Sequence, residues 1–286
     1  MSNFLDIPVE FSHPETSSVH IIPVPYDMTS TYRKGADRGP QAIIDASAQV
    51  EWFDIPTRSE PHLKGIHTQE AVACSEPDPI RLAPMVRDRV AAVLDAGKLP
   101  VVLGGEHSVS IGAFEAAAEK FPGSLTIVQI DAHGDTRESY HGSTHNHACV
   151  MARARDLAPI LQIGIRAIDK VEMDAMEPSR TFFAHDILDA PDDGWMDGVT
   201  DLLTDHVYLT IDLDGLDPSI LPSTGTPEPG GLDWRTVNTL IRRIAGNSKI
   251  VGLDVVELCP TDHHASDFIA AKLVLRAIAE CQSAHL

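Results

Sequence analysis

The sequence predicts an α/β fold, a three-layer α/β/α sandwich around a mostly parallel eight-stranded sheet. Three observations predict it. Eight short apolar runs recur along the whole chain. Most lack polar alternation, which is the pattern of strands buried on both faces. The stretches between them carry helical rather than strand periodicity.

The runs fall at 19–24, 71–74, 99–103, 125–130, 159–165, 181–184, 207–211 and 250–255. Ahead of the third, Val86, Val90, Val93 and Leu94 lie at i, i+4, i+7 and i+8, and Gly97 follows as a stop signal. Ahead of the eighth, Val237, Leu240, Ile241 and Ile244 repeat at i, i+3, i+4 and i+7 behind Asp233, a plausible N-cap. Beyond it, Ile269, Leu273 and Ile278 suggest a helix starting near Ser266. Strands alternating with helices make a parallel sheet covered on both sides. The chain shows no internal repeat, low-complexity tract or linker, so one domain over residues 1–286 is expected.

Composition narrows the function. Acidic residues number 42 and basic residues 22, for a net charge of −20. That balance argues against nucleic acid or an anionic membrane as partner, since phosphate binding needs a basic patch. It is compatible with a small cationic substrate. Cys74, Cys149, Cys259 and Cys281 form no CxxC pair, which reads as reduced thiols in a cytosolic protein. Residues 1–6 lack a basic segment followed by an apolar run, so no leader is expected, and no apolar stretch approaches membrane-spanning length.

Open α/β sheets place ligands at the carboxyl ends of their strands. Asp131, Asp212 and Glu257 stand at or just past such ends, as does the segment Gly104-Gly105-Glu106-His107. Two long loops follow, at about 131–148 and 213–232. Asp131, His133 and Asp135 lie at i, i+2 and i+4, so an extended chain puts all three on one side. Such a group repels itself unless a cation joins it. Asp212 and Asp214 repeat the spacing, and His107 adds a nitrogen. Four carboxylates and two imidazoles exceed what one ion takes from protein, so a two-metal site follows. Oxygen-rich ligands without thiolate suit Mn²⁺, two per subunit.

The motifs GGEHS at 104–108, DAHGD at 131–135, DLDGLDP at 212–218, TGTPEPGG at 224–231 and GLDVVELCP at 252–260 resemble the ureohydrolase family of arginases and agmatinases. The likeness runs over roughly residues 19 to 280, and the combination is highly specific. It implies the arginase/deacetylase-like fold and cleavage of a guanidinium to urea and an amine by a hydroxide bridging two Mn²⁺. By the same resemblance His107 and His133 each hold one ion, Asp131 and Asp212 bridge, Asp214 chelates the second, and Asp135 is both ligand and hydrogen-bond acceptor. His147 resembles the proton-shuttle histidine and Glu257 the carboxylate that pairs with the guanidinium. Of His141, His145 and His147, the last is assigned because it directly precedes Ala148-Cys149-Val150. His263 and His264 read as loop histidines, Cys149 as a buried thiol, and Glu106 either as orienting a ligand or as an ordinary loop carboxylate.

The stretch after DAHGD resembles bacterial agmatinases rather than arginases, so the expected reaction is agmatine and water to putrescine and urea. Glu228 suits the cationic amine tail. Arg137 points the other way, toward an acidic tail as in 4-guanidinobutanoate, 3-guanidinopropanoate or formimidoyl-glutamate, unless it pairs internally with Glu138 or another acid. Arginine, a metal-dependent deacetylase reaction and a non-catalytic metal-binding homologue complete the alternatives. A homo-oligomer, trimer or hexamer, is implied by the resemblance, and the cytoplasm is expected from the cysteine usage.

Overall fold

The computed structural model describes residues 3–284; Met1, Ser2, His285 and Leu286, which the expected domain included, lie outside the described residues. The strands are β1 (Val19–Val24), β2 (Ile66–Thr68), β3 (Leu99–Gly104), β4 (Leu125–Ile130), β5 (Ile160–Ile165), β6 (Thr181–Phe183), β7 (His206–Asp212) and β8 (Lys249–Val256). They form one sheet in the order β2-β1-β3-β8-β7-β4-β5-β6. Every pairing is parallel.

Seven of the expected runs coincide with strands, and the second does not. Residues 71–74 are irregular, and β2 lies upstream at Ile66–Thr68. Pro23 explains the difference. Gln69 and Val72 still donate their N–H groups to Ile21 and Pro23 of β1. Pro23 has no N–H to return on that side, so the ladder stops.

The helices are α1 (Gly39–Ser47), α2 (Ala83–Asp95), α3 (Ser110–Lys120), α4 (Val150–Leu157), α5 (Lys170–Ala175), α6 (Ala184–Asp189), α7 (Trp195–Thr200), α8 (Trp234–Asn247) and α9 (Ala265–Ser283). Their ends follow local chemistry. Asp233 caps α8 by accepting from Thr236 N at 2.6 Å. α2 ends in a Schellman turn, with Gly97 at φ 71° and its N–H on Leu94 O, and Lys98 N on Val93 O.

Strand alternation divides the core in two. Ile21, Val101, Val128 and Leu209 pack with α1, α8 and α9 on one face. Ile22, Val102, Ile127 and Tyr208 pack with α2, α3 and α4 on the other. β1 and β4 are buried along their whole length, as strands covered on both sides must be. The order brings β3, β8, β7 and β4 side by side. Their carboxyl ends therefore deliver His107, Glu257, Asp212 and Asp131 to one edge from four distant parts of the chain.

Candidate metal centre and active site

Two sets of ligand atoms converge above those strand ends. His107, Asp131 and Asp135 form one, and Asp131, His133 and Asp214 the other, with Asp131 common to both. His107 Nδ1 lies 3.2 Å from Asp131 Oδ2, 3.2 Å from Asp135 Oδ2 and 3.4 Å from Asp212 Oδ2. His133 Nδ1 lies 3.0 Å from Asp214 Oδ2 and 3.6 Å from Asp131 Oδ1. All six expected ligands are thus within one cluster, and all but His133 are buried.

The local backbone sets these positions. His133 N donates to Asp131 Oδ1 at 2.6 Å, Asp214 N to Asp212 Oδ1 at 2.9 Å, and Ala132 N to Asp214 Oδ1 at 3.1 Å. Gln129 Nε2 donates to Asp131 Oδ2 at 2.7 Å. Asp135 and Glu257 occupy the left-handed region at φ 50° and 66°, uncommon for side chains of this size. A Cβ on Gly105 would meet Tyr26 O at 2.0 Å, so only glycine lets the β3 turn approach so closely. Gly105 O then accepts from Glu257 N at 2.7 Å, and Glu257 Oε1 accepts from His107 N at 2.8 Å.

The donor set fits divalent cations. Burial and neighbouring acids push Asp135 up to about 6 and Asp212 well above the carboxylate range. Glu257 is likewise raised by burial and by Glu106. Burial alone would lower His107, but Asp131, Asp135 and Asp212 outweigh it and hold its proton tightly. His107 Nδ1 is buried and makes no well-formed hydrogen bond, although three carboxylates surround it. On its far side Nε2 meets Thr210 Oγ1 at 2.8 Å, and that hydroxyl donates to Asp254 Oδ1 at 2.6 Å. The hydroxyl proton is committed to Asp254, so Nε2 carries the donated proton and Nδ1 is left for a cation. A metal would take the place of the Nδ1 proton.

Above the ligands opens a cleft of about 450 Å³, which His147, Glu228, Glu257, Arg137 and Arg33 also line. Neither His141 nor His145 reaches it: His141 is exposed, and His145 bonds Thr144 Oγ1 at 2.9 Å. Burial, with His107 and His133 adding to it, lowers His147 to about 4, so its imidazole is neutral near pH 7. That position is well below the near-neutral titration expected of a shuttle from the residue type alone. The Glu228 carboxylate makes no hydrogen bond or ion pair among the described residues, whereas its carbonyl accepts from Arg166 Nη2 at 2.7 Å. Arg137 is neutralised. It lies 3.0 Å from Asp169 Oδ2 and 3.2 Å from Glu172 Oε2 and stacks over Tyr140 at 4.7 Å. Glu138, the acid suggested for it by sequence, instead bonds Arg153 and Arg155. His264 pairs with Asp267, remote from the cleft, and Cys149 is a buried free thiol pushed up to about 11 by burial.

A family model described as the arginase family matches residues 17–279. The chain belongs to the arginase family. That membership makes it a hydrolase. Among its relatives, the N(1)-aminopropylagmatine ureohydrolase of Synechocystis is 38% identical over 270 residues, 91% of this chain and 88% of the relative. The agmatinase of Bacillus cereus is 35% identical over 275 residues, 93% and 92% of the two chains. The agmatine ureohydrolase of Thermoplasma volcanium superposes with a TM-score of 0.87 at 31% identity, covering 99% of this chain and 95% of the other.

Within this arginase-family site several residues carried no signal of their own. Thr210 and Asp254 lie inside strands that read simply as apolar, and Thr29 lies in a loop of small polar residues. Arg166 stands just past β5 and donates to five carbonyls, those of Gly164, Asp214, Gly215, Leu216 and Glu228. Only its place at a strand's carboxyl end marked it.

Proposed function

We propose that the chain hydrolyses the guanidinium of agmatine, giving putrescine and urea, with two Mn²⁺ per subunit. The observation that carries this reading is the pair of carboxylates in the cleft. Glu257 lies beside the ligand cluster, and Glu228 lines the same cleft with no partner of its own. A guanidinium on the first leaves the second for the ammonium tail. Neutralisation of Arg137 removes the reason to expect an acidic tail at that residue.

The two ligand sets sharing Asp131 support the count of two ions, which would supply water of lowered pKa at neutral pH. Glu257 holds and orients the guanidinium. Asp135, beside His107 in the ligand cluster and lining the cleft, is placed to accept a proton and return it to the leaving amine. Neutral His147 offers a second acceptor toward the cleft. The cytosolic setting is part of the reading, supported by four free cysteines. So is the homo-oligomer, which the resemblance alone supports. Among the described residues no helix is long and apolar enough to cross a membrane.

A second reading, hydrolysis of N(1)-aminopropylagmatine to the corresponding triamine, is favoured by the relative of that name and by a cleft rimmed with several acids. Urea release with Mn²⁺ decides among the substrates. Agmatine and its aminopropyl derivative are compared with arginine and 4-guanidinobutanoate. Preference for either cationic tail, lost in Glu257→Gln, supports the reaction. Preference for 4-guanidinobutanoate removes Glu228 from tail recognition and points to Arg33, which makes no ion pair among the described residues. No urea from any of them, with metal bound, ends the ureohydrolase reading.

A further inference from the structure

The loop between β1 and α1 carries Pro25-Tyr26-Asp27, a stretch to which the proposed reaction gives no task. Thr29 lies in it, between a buried carboxylate and the imidazole of His147. Its Oγ1 is 2.6 Å from Glu106 Oε1 and 3.0 Å from His147 Nδ1. Glu106 is fully buried. It accepts from Thr29 N at 2.5 Å, from Ser30 N at 3.2 Å, from the Thr29 hydroxyl, and from the Ser108 hydroxyl. Its two backbone N–H neighbours can only donate, and both hydroxyls have a proton to give it, so as a carboxylate it takes all four bonds as acceptor.

That fixes the direction of the chain of bonds. A threonine hydroxyl has one proton, and here it goes to Glu106. The oxygen can then only accept from its other neighbours, which are His147 N at 3.2 Å and His147 Nδ1. The ring proton must therefore sit on Nδ1. Nε2 keeps its lone pair and makes no hydrogen bond among the described residues, while His147 lines the cleft.

We propose that Thr29, its hydroxyl directed by Glu106, is a positioning residue that locks His147 in the Nδ1-protonated tautomer and presents bare Nε2 to the substrate cleft. The proposal rests on the reading of His147 as a proton carrier. It gives the loop after β1 a part in the reaction and explains the buried Glu106 beside the ligand His107. A threonine carries no charge, so the device sets a tautomer without adding a charge beside the cations.

The test compares Thr29→Val with Thr29→Ser. In the ¹⁵N-labelled full chain without added Mn²⁺, long-range ¹H–¹⁵N spectra report which ring nitrogen of His147 is protonated. Wild type and Thr29→Ser are expected to show Nδ1–H, and Thr29→Val a shift toward Nε2–H. With Mn²⁺ and agmatine or its aminopropyl derivative, whichever is turned over, Thr29→Val lowers kcat by roughly tenfold, a part of what a positioned acid–base group supplies. KM stays within about twofold, Thr29→Ser restores kcat, and Thr29→Val adds no loss in a His147→Ala background. Retention of Nδ1–H in Thr29→Val overturns the proposal whatever the rates do. Unchanged kcat in His147→Ala removes the proton-carrier reading alone, and the ring spectra still decide the role of Thr29.

Discussion

Glu257 combines a left-handed backbone at φ 66° with a carboxylate that burial and Glu106 push well above its ordinary range. Both features raise the free energy of the folded chain and suit a group waiting for a cationic partner. Glu257→Gln is expected to lower kcat/KM by about 2–5 kcal/mol of transition-state binding, the range for losing one partner of a buried charge pair. Thermal unfolding of the metal-free variant, followed in parallel, should occur no lower than in wild type, since a costly buried charge has gone. A large drop in melting temperature would show that Glu257 instead holds the fold together. At this scale the six ligands were legible because Asp131, His133, Asp135, Asp212 and Asp214 sit at two-residue spacing after apolar runs, and His107 follows another. The groups behind them were not. Thr29, Thr210 and Asp254 act through hydrogen bonds to residues about 44 to 118 positions away, and no spacing rule connects such pairs.

Arg166 makes two elements one. Its guanidinium ties the carbonyls of the turn after β7, which carries Asp214, to the carbonyl of Glu228 in the following loop. A Cβ on Gly231 would meet its Nη2 at 2.6 Å, so the loop closes tightly over it. Arg166→Ala should destabilise the chain by about 2–4 kcal/mol, as several carbonyls lose a charged donor together. It should raise KM more than it lowers kcat if Glu228 binds the tail, and equal changes in both would separate the loop from recognition. At the head of β1, burial and Lys98 lower His20 to about 4. Its Nε2 bonds Pro14 O at 3.0 Å and its Nδ1 accepts from Gln69 at 3.0 Å. The folded chain binds the proton less readily than the unfolded one, so this stability is complete above about pH 6.5 and lost as pH falls toward 4. Melting temperatures at pH 7 and pH 5 should therefore differ less in His20→Gln than in wild type. Apolar runs located seven strands: six lie inside the sheet and are buried except for the first residue of some, and the seventh, edge strand β6, is the half-buried run Thr-Phe-Phe. β2, with the polar sequence Ile-His-Thr at the sheet edge, offered no such run, and the ladder break at Pro23 is visible only once the pairing is known.

For the molecule as a whole, the ligand cluster is a source of strain until cations arrive. Asp212 and Asp135 are both pushed up because water is excluded and acids crowd them. Added Mn²⁺ should raise the melting temperature and a chelator should reverse the gain, by about 2.7 kcal/mol at a free ion concentration a hundred times Kd. A melting temperature indifferent to both would remove the two-ion reading. The sheet order adds a consequence for how the chain reaches this state. Without β8 the strands fall into two separate ribbons, β2-β1-β3 and β7-β4-β5-β6. The eighth strand in sequence is the fifth-to-last in space and the seam between them. A chain emerging from the ribosome can thus build both ribbons early, each with an open inner edge at β3 or β7 that invites wrong pairing. It joins them only after residue 256 is free. That final stitch brings His107, just past β3, to the acids at the ends of β4 and β7, so a chain that has not finished folding can assemble Asp131, His133 and Asp214 but lacks the ligand set that needs His107.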